Sequence, residues 1–465
     1  MIIVQKMMRN AFFSVLRRSP KPLRDLFLRS RLNLKPMPRD LVFEIAHTRP
    51  DLDQAFQLLH DAYVKEGFSK PHISGRRVTD YHALPSTTTL LAKYDGDVAA
   101  TISVIRDGPF GLPADSVVDL SPFRQKGQRL GEVSSLAINP RYRGRSGEVM
   151  FHLFKYMLHY SMYYFGLDRF VVVVNPNRIT LYESILAFEQ LHSANIRSYA
   201  FANNAPGVCA TLDLVNLEET FRRIYTGRPV RQNIHHFFFG AYGPAEKRQF
   251  IFPERPYYTA ADPVMSPEIM HYFFNQCTDF FQRLNHNKVK ILQQIYREEA
   301  YNPIWPRHAL TDGTYYRSHR RFDVACTAEL VGHRPGFGAL HVLDASRTGV
   351  RVRSSLPLQA PGRSMLEVVV GRHKRAWVHA NCRWQQAGTA GLQIVAADAD
   401  WHHFIDYMEN RMALMAHPVG CAPMEQVNDR PAWLEGPGHS YVPPPKELRI
   451  DDCHCEQNCP RSPSF

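Results

Sequence analysis

The stretch Gly131-Glu132-Val133-Ser134-Ser135-Leu136-Ala137-Ile138-Asn139-Pro140-Arg141-Tyr142-Arg143-Gly144-Arg145-Ser146-Gly147 changes character twice. Its first part mixes apolar and small polar side chains and predicts a strand over Glu132–Ile138. Asn139-Pro140 ends that strand, and a basic loop containing Gly144 follows. A long helix rich in aromatic side chains is predicted from Gly147 to Phe165. Such a loop points backbone N–H groups and the positive end of a helix at an anion, so Arg143, Gly144, Arg145 and Ser146 suit a phosphate. Taken alone, the loop reads equally well as a solvated turn carrying three arginines.

Alternating strand and helix patterns extend from this stretch across residues 41–215. Leu41–Ile45 reads as a strand, and Asp51–Glu66 as a helix with Phe56, Leu59 and Tyr63 on one face. Thr88–Ala92 and Val98–Ile105 read as strands joined by a turn at Asp95-Gly96. Phe170–Val174 is a buried strand, Thr180–Phe188 a short helix and Gly207–Leu214 a final strand. The pattern predicts one α/β domain with a mixed sheet.

Strand, basic loop, aromatic helix, Val-rich strand and then Asn177-Arg178-Ile179-Thr180-Leu181-Tyr182-Glu183-Ser184 follow in an order that resembles the GNAT-type N-acyltransferase fold. Gly111-Leu112-Pro113, Gly131-Glu132-Val133-Ser134-Ser135-Leu136 and Leu181-Tyr182-Glu183-Ser184 resemble the N-acyl amino acid synthases, relatives of the acyl-homoserine-lactone synthases. The resemblance covers about residues 40–215. It implies direct aminolysis of a thioester donor, acyl carrier protein or acyl-coenzyme A, by the amine of an amino acid. Glu132 would be the base, directly or through one water. Backbone N–H groups along Leu136, Ala137 and Ile138 would polarise the thioester oxygen, and Tyr182 would protonate the leaving thiolate. Arg143, Gly144, Arg145 and Ser146 would hold the donor's phosphate.

Each role has a plainer competitor: Glu132 as a strand-end carboxylate paired with Arg106 or Arg129, and Tyr182 as core packing. Phe151, Phe154, Met157, Leu158 and Tyr164 either line an acyl channel or fill the core. Cys209 is not expected as a nucleophile, because aminolysis requires no covalent intermediate. The chain departs from the family pattern where Ser146 and Glu148 occupy glycine positions of the loop. Glu148 would repel a pyrophosphate, which favours a carrier-protein thioester with its single phosphate. Ala187 replaces a second family glycine, in a helix-to-strand turn.

Residues 313–410 carry a different signature: short alternating segments such as Val350-Arg351-Val352, Leu366–Val370 and Leu392–Val395, then a helix from Trp401 to Met412. A small β-barrel is predicted. Arg317-Ser318-His319-Arg320-Arg321 places two arginines four apart, able to fork phosphate oxygens and stack on a purine. Asp344-Ala345-Ser346-Arg347-Thr348-Gly349 follows at a turn, offering an acceptor, a donor and a close backbone approach. RxxxR and DxSxxG in this order resemble the PilZ domain, the bacterial receptor module for cyclic di-GMP. The resemblance implies that Arg317, Arg321, Asp344, Ser346 and Gly349 form the messenger pocket, and that the compartment is a bacterial cytoplasm.

The remaining segments are organised by composition. Residues 1–40 hold ten Lys/Arg against Asp25 and Asp40, with Leu23, Leu26 and Phe27 at helical spacing. They suit an anionic membrane surface at the periphery, an acidic carrier protein, or solvent. Residues 216–312 read as a helical linker or packing region, with Phe237-Phe238-Phe239 as a strand or buried loop. One helix should run from Ser266-Pro267 towards Tyr296 on an Ile269, Phe273, Cys277, Phe280, Leu284 stripe and so offer a dimer face. Residues 411–465 read as a disordered tail; Cys421, Cys453, Cys455 and Cys459 lack the CxxC pairing usual for structural zinc, so no metal is expected. The other cysteines read as buried thiols in a reducing compartment. With 56 Lys/Arg against 44 Asp/Glu the chain is basic, yet no nucleic-acid reader motif accompanies the charge. The reading is a cyclic di-GMP-regulated N-acyltransferase without cofactor. An acyl-homoserine-lactone-like synthase using S-adenosylmethionine and a non-catalytic messenger receptor are its rivals.

Overall fold

In a computed structural model, which describes residues 19–191, 196–262, 264–306, 318–332, 339–353, 363–386 and 388–416, Asp95 and Gly96 both take positive φ, 49° and 85°. They close a tight hairpin between β2 (Thr87–Tyr94) and β3 (Asp97–Arg106) whose twist such turns match. The sheet runs β1-β2-β3-β4-β5-β8-β6, with β1 Leu41–Ile45, β4 Leu130–Ile138, β5 Arg169–Val174, β6 Glu189–Gln190 and β8 Ala205–Asp213; β7 (Arg197–Tyr199) pairs with β8. Every pair is antiparallel except β4 with β5, which makes the sheet mixed. That parallel contact ends early, after Leu130–Arg169, Gly131–Phe170 and Glu132–Val171. At the same place β4 bulges against β3, and Ser135 takes φ 55°. The bulge bends β4, and Val133–Ile138 have no strand partner on the β5 side.

Helices cover both faces. α1 (Lys21–Ser30) lies against α4 (Ile179–Leu186), where Ser184 Oγ donates to Asp25 at 2.6 Å and Arg29 Nε to the Ser184 carbonyl at 2.7 Å. Its Leu23 and Leu26 point outward, 62% and 56% exposed, so their helical spacing does not mark a core face. α2 (Arg49–Glu66) starts on a Thr48 cap and ends on Gly67 at φ 79°. It shares one core with residues 264–305, Phe56 meeting Phe273 edge-on at 5.0 Å. α3 (Ser146–Tyr163) fills the other face with residues 217–252, where Phe43 meets Phe250 edge-on at 5.2 Å.

Two expectations for the middle region are corrected. Phe237-Phe238-Phe239 belong to a helix, α5 (Ile234–Phe239), because Asn233 caps it by accepting from the His236 N–H at 2.9 Å. The single helix expected from Ser266 to Tyr296 is broken. The Ser266 cap and Pro267 start form as read, but Thr278 Oγ1 donates to the Phe273 carbonyl at 2.7 Å, and Asn285 restarts the chain as α6 (His286–Ile295). Side chains that bond the local backbone compete with helix continuation. Cys277, on the expected stripe, is half-buried rather than buried.

The barrel closes as expected from six antiparallel strands: β10 (Thr327–Leu330), β13 (Arg363–Gly371), β14 (Lys374–Gln386), β15 (Thr389–Ala397), β12 (Gly349–Arg353) and β11 (Ala339–Ser346), which returns to β10. β9 (Phe322–Asp323) adds to β11. α7 (Ala399–Ala416) follows and buries Trp401 and Phe404 in the barrel core.

The barrel is joined to the α/β domain by buried charge. Arg106, 4% exposed at the end of β3, donates to the Val324 carbonyl at 2.9 Å and faces Asp323 at 3.5 Å. Asp168 holds Arg129 at 2.9 Å and the barrel's Arg353 at 3.3 Å. Asp262, fully buried, is gripped by Arg255 at 2.8 Å and by Arg411 of α7 at 2.6 Å. No described helix is long and apolar enough to cross a membrane. Residues 1–18, Arg317 and the cysteines at 421, 453, 455 and 459 lie outside the described residues.

Candidate functional site

Where β4 and β5 part, the sheet opens into a cavity of about 160 Å³. Its wall is mainly apolar, with Phe154, Met157 and Leu158 of α3, Phe170 and Val172 of β5, and Phe188. Three of the five residues proposed for an acyl channel therefore line it. Phe151 instead meets Phe237 edge-on at 6.2 Å, and Tyr164 stacks on Phe252 at 5.2 Å. A five-turn helix points side chains all round its axis, so α3 and the Tyr164 that follows it cannot aim every aromatic at one side of the sheet.

Glu132 is the last β4 residue paired with β5, 1% exposed, and its carboxyl borders the cavity. Neither arginine considered as its partner is one, since Arg106 turns to Asp323 and Arg129 to Asp168. Instead the Tyr199 hydroxyl donates to one carboxyl oxygen and the Ala114 N–H to the other, the latter at 2.7 Å. Burial pushes the carboxyl up to about 8; the two hydrogen bonds oppose that rise without cancelling it. Such a group gives and takes a proton near neutral pH.

Tyr199 carries no motif, sits on the short strand β7 and is brought to Glu132 only by β7–β8 pairing. Tyr63 completes the same corner: it lines the cavity together with Ser134 and Ser135 of the bulge, and burial holds its hydroxyl above the ordinary tyrosine range. Both were missed as site residues. The apolar face assigned to α2 did include Tyr63, but a helical stripe does not say that one member ends in a buried polar cluster.

Tyr182 also lines the cavity, packs edge-on against Phe188 at 5.5 Å, and is pushed up to about 12 by burial, so it holds its proton at neutral pH. Leu136 borders the cavity on the unpaired edge of β4, next to Ala137 and Ile138. The loop forms a 3-10 turn, Pro140–Arg145, running into α3 at Ser146. Gly144 and Gly147 have open space around them. Glu148 is paired with Lys35 at 2.5 Å, so its repulsion of a phosphate is partly neutralised. The Cys209 thiol is buried and pushed up to about 12, which keeps it inert.

In the barrel, Arg321, Asp344, Ser346 and Gly349 lie together. Arg321 pairs with one Asp344 oxygen, Arg351 with the other at 2.6 Å, and Ser346 Oγ donates to the Gly349 carbonyl at 3.0 Å. A side chain at Gly349 would meet the Arg321 guanidinium at 3.0 Å. Arg351 was read only as part of a strand; it faces Asp344 across the β11–β12 ladder. Arg347, inside the DxSxxG turn, instead bonds Asp406 and Glu409 of α7, the latter at 2.6 Å.

No curated protein matches the chain. Among solved structures, FeeM, an N-acyl amino acid synthase from uncultured soil microbes, is 25% identical over 38% of this chain and 93% of its own, with a TM-score of 0.33. The acyl-homoserine-lactone synthase LasI is 16% identical over 42% of this chain and 98% of its own, at 0.31. An N-acetyltransferase from Staphylococcus aureus is 15% identical over 37% and 98%, at 0.28. Residues 54–213 match the family model for the N-acyl amino acid synthase FeeM, and the α/β domain of this chain is an N-acyltransferase.

Proposed function

We propose that the chain transfers an acyl group from a carrier-protein or coenzyme A thioester to the amine of an amino acid, under the control of cyclic di-GMP. The observation that carries the transfer is Glu132, a buried carboxyl raised to about 8 in the wall of an apolar cavity. Glu132 takes the amine proton, the nitrogen attacks the thioester carbonyl, and the C–S bond breaks to give an amide and a thiol. N–H groups of Leu136, Ala137 and Ile138 hold the developing oxyanion, and Tyr182 returns a proton to sulfur. Arg143, Gly144, Arg145 and Ser146 take the donor's phosphate at the start of α3. The bulge at Ser135 supports the oxyanion role, because it leaves that strand edge unpaired. The arginines of α1 are paired with Asp25 and Glu183, while Lys21, Leu23 and Leu26 are exposed; that mixed surface supports contact with an acidic carrier protein as donor or with the anionic membrane periphery of a bacterial cytoplasm.

Arg317, Arg321, Asp344, Ser346 and Gly349 would hold cyclic di-GMP in the barrel. Arg321 must then exchange Asp344 for a ligand phosphate or base. Asp344 pairs in register with Asp323, which faces Arg106, whose own strand partner Gly131 is next to Glu132. A change at the messenger pocket thus reaches the acyl-transfer strand through three residues. Mass spectrometry of lipid extracts from bacteria expressing wild type or Glu132→Gln tests the reading. A new N-acyl amino acid present only with wild type supports it, and an acyl-homoserine lactone redirects it.

A further inference from the structure

Four arginines among the described residues are buried: Arg77, Arg106, Arg129 and Arg320. Three of them face a carboxylate, Arg106 with Asp323, Arg129 with Asp168 and Arg320 with Glu298 at 2.7 Å. Arg77, 8% exposed, has no acidic partner among the described residues. Its guanidinium is held between the rings of Tyr63 and Phe201, 4.4 and 4.8 Å from their centroids. Nη2 donates to the Phe201 carbonyl at 2.7 Å, while Nη1 is buried with no partner. A desolvated cation without a counter-ion is costly, and an unmet donor adds to that cost. A bound anion removes both penalties.

The place matters as much as the vacancy of charge. Tyr63 and Phe201 belong to the cavity wall, and so does Tyr199, the partner of Glu132. Arg77 therefore sits one side-chain layer behind the corner where the attacking amine is deprotonated. An α-amino acid carries its amine and its carboxylate on one carbon, so a group that recognises the second must lie close to the base that serves the first. Planar, doubly stacked guanidinium is suited to fork a carboxylate.

We infer that Arg77 is the carboxylate receptor of the acceptor subsite, selecting α-amino acids over simple amines. Arg77 does not itself line the cavity, so the acceptor carboxylate reaches Nη1 only when the Tyr63 and Phe201 rings that enclose the guanidinium part on the cavity side. This rests on the amino-acid acyltransferase reading above. It also assigns those two rings a function beyond wall-building: they desolvate the ion pair, so that neutral acceptors gain nothing from the site.

The test compares the acceptor found in a pool of the twenty amino acids with the amine made by removing its carboxyl group, using full-length protein and acyl-carrier or acyl-coenzyme A donors. Wild type should prefer the amino acid at least about 100-fold in kcat/KM, and Arg77→Met should bring that ratio to within a few-fold of one. Arg77→Lys should restore part of the preference. A ratio left intact in Arg77→Met overturns the inference, as does wild type that uses both acceptors equally while making amides. Absence of any amide from any acceptor overturns the acyltransferase reading itself, and this subsite with it. Should Arg77→Met not fold, thermal shift on wild type decides: the amino acid, and not its amine, should raise Tm, and equal shifts overturn the inference.

Discussion

The cavity beside β4 and the Asp344 cluster of the barrel manage charge in opposite ways. Glu132 is a lone carboxyl in an apolar wall, held by neutral donors, and burial sets its proton affinity. Asp344 is flanked by two arginines on a rim where Arg321 and Arg351 remain about one-third and two-fifths exposed. The first arrangement suits a group that changes protonation; the second suits one that would exchange an arginine for a bound anion. A catalytic base needs the former and an exchangeable anion site the latter.

The sharpest way to break this contrast is Glu132→Gln, which should lower kcat/KM by about 10²–10³-fold. Retention of more than a tenth of wild-type activity would make the carboxyl structural. Asp344→Ala and Arg321→Ala should each weaken cyclic di-GMP binding by about 10–100-fold in titration calorimetry, as loss of charge-assisted bonds does. Equal affinity in all three proteins would leave the barrel without a messenger site.

Proton linkage sharpens the comparison further. Turnover should rise with pH through about 8 as Glu132 loses its proton. Because its folded value lies above the ordinary carboxylate value of 4.5, the folded chain holds this proton more tightly than the unfolded chain between those limits. This group's contribution to stability is therefore full below about pH 4.5 and declines as pH rises towards 8. Tm measured against pH should show that decline in wild type and a flatter profile in Glu132→Gln. Unchanged profiles would mean that Glu132 titrates in the ordinary range.

The smallest expected effect lies beside the cavity. Ala187 ends α4 at φ 58°, a left-handed conformation that a Cβ disfavours. Ala187→Gly should stabilise the chain by about 0.5–1 kcal/mol in denaturant unfolding, offset in part by added freedom in the unfolded state. Destabilisation would show that the methyl packs better than its backbone suggests.

What could be read from sequence divides along the same line. The β2–β3 hairpin follows from Asp95-Gly96, and Glu132, Tyr182 and the DxSxxG turn sit inside contiguous stretches. Arg321, Asp344, Ser346 and Gly349 do converge. Tyr199, Tyr63, Arg77 and Arg351 escaped because their significance lies in pairing across strands or in a missing partner, neither of which leaves a local pattern. The helix at Ile234–Phe239 escaped because an all-aromatic run has no periodicity, and only the Asn233 cap tells helix from strand.

The ionic seams that hold the barrel and α7 to the rest of the chain bear on whether either part could stand alone. Without the barrel and α7, Arg106 would lose Asp323, Asp168 would lose Arg353 and Asp262 would lose Arg411. Trimming the gene after β15 would remove Arg411 and leave Asp262 with one arginine instead of two. Separating the two parts would therefore bring Arg106, Asp168 and Asp262 out of the interior or strip them of partners, so each part needs its neighbour to keep those charges covered.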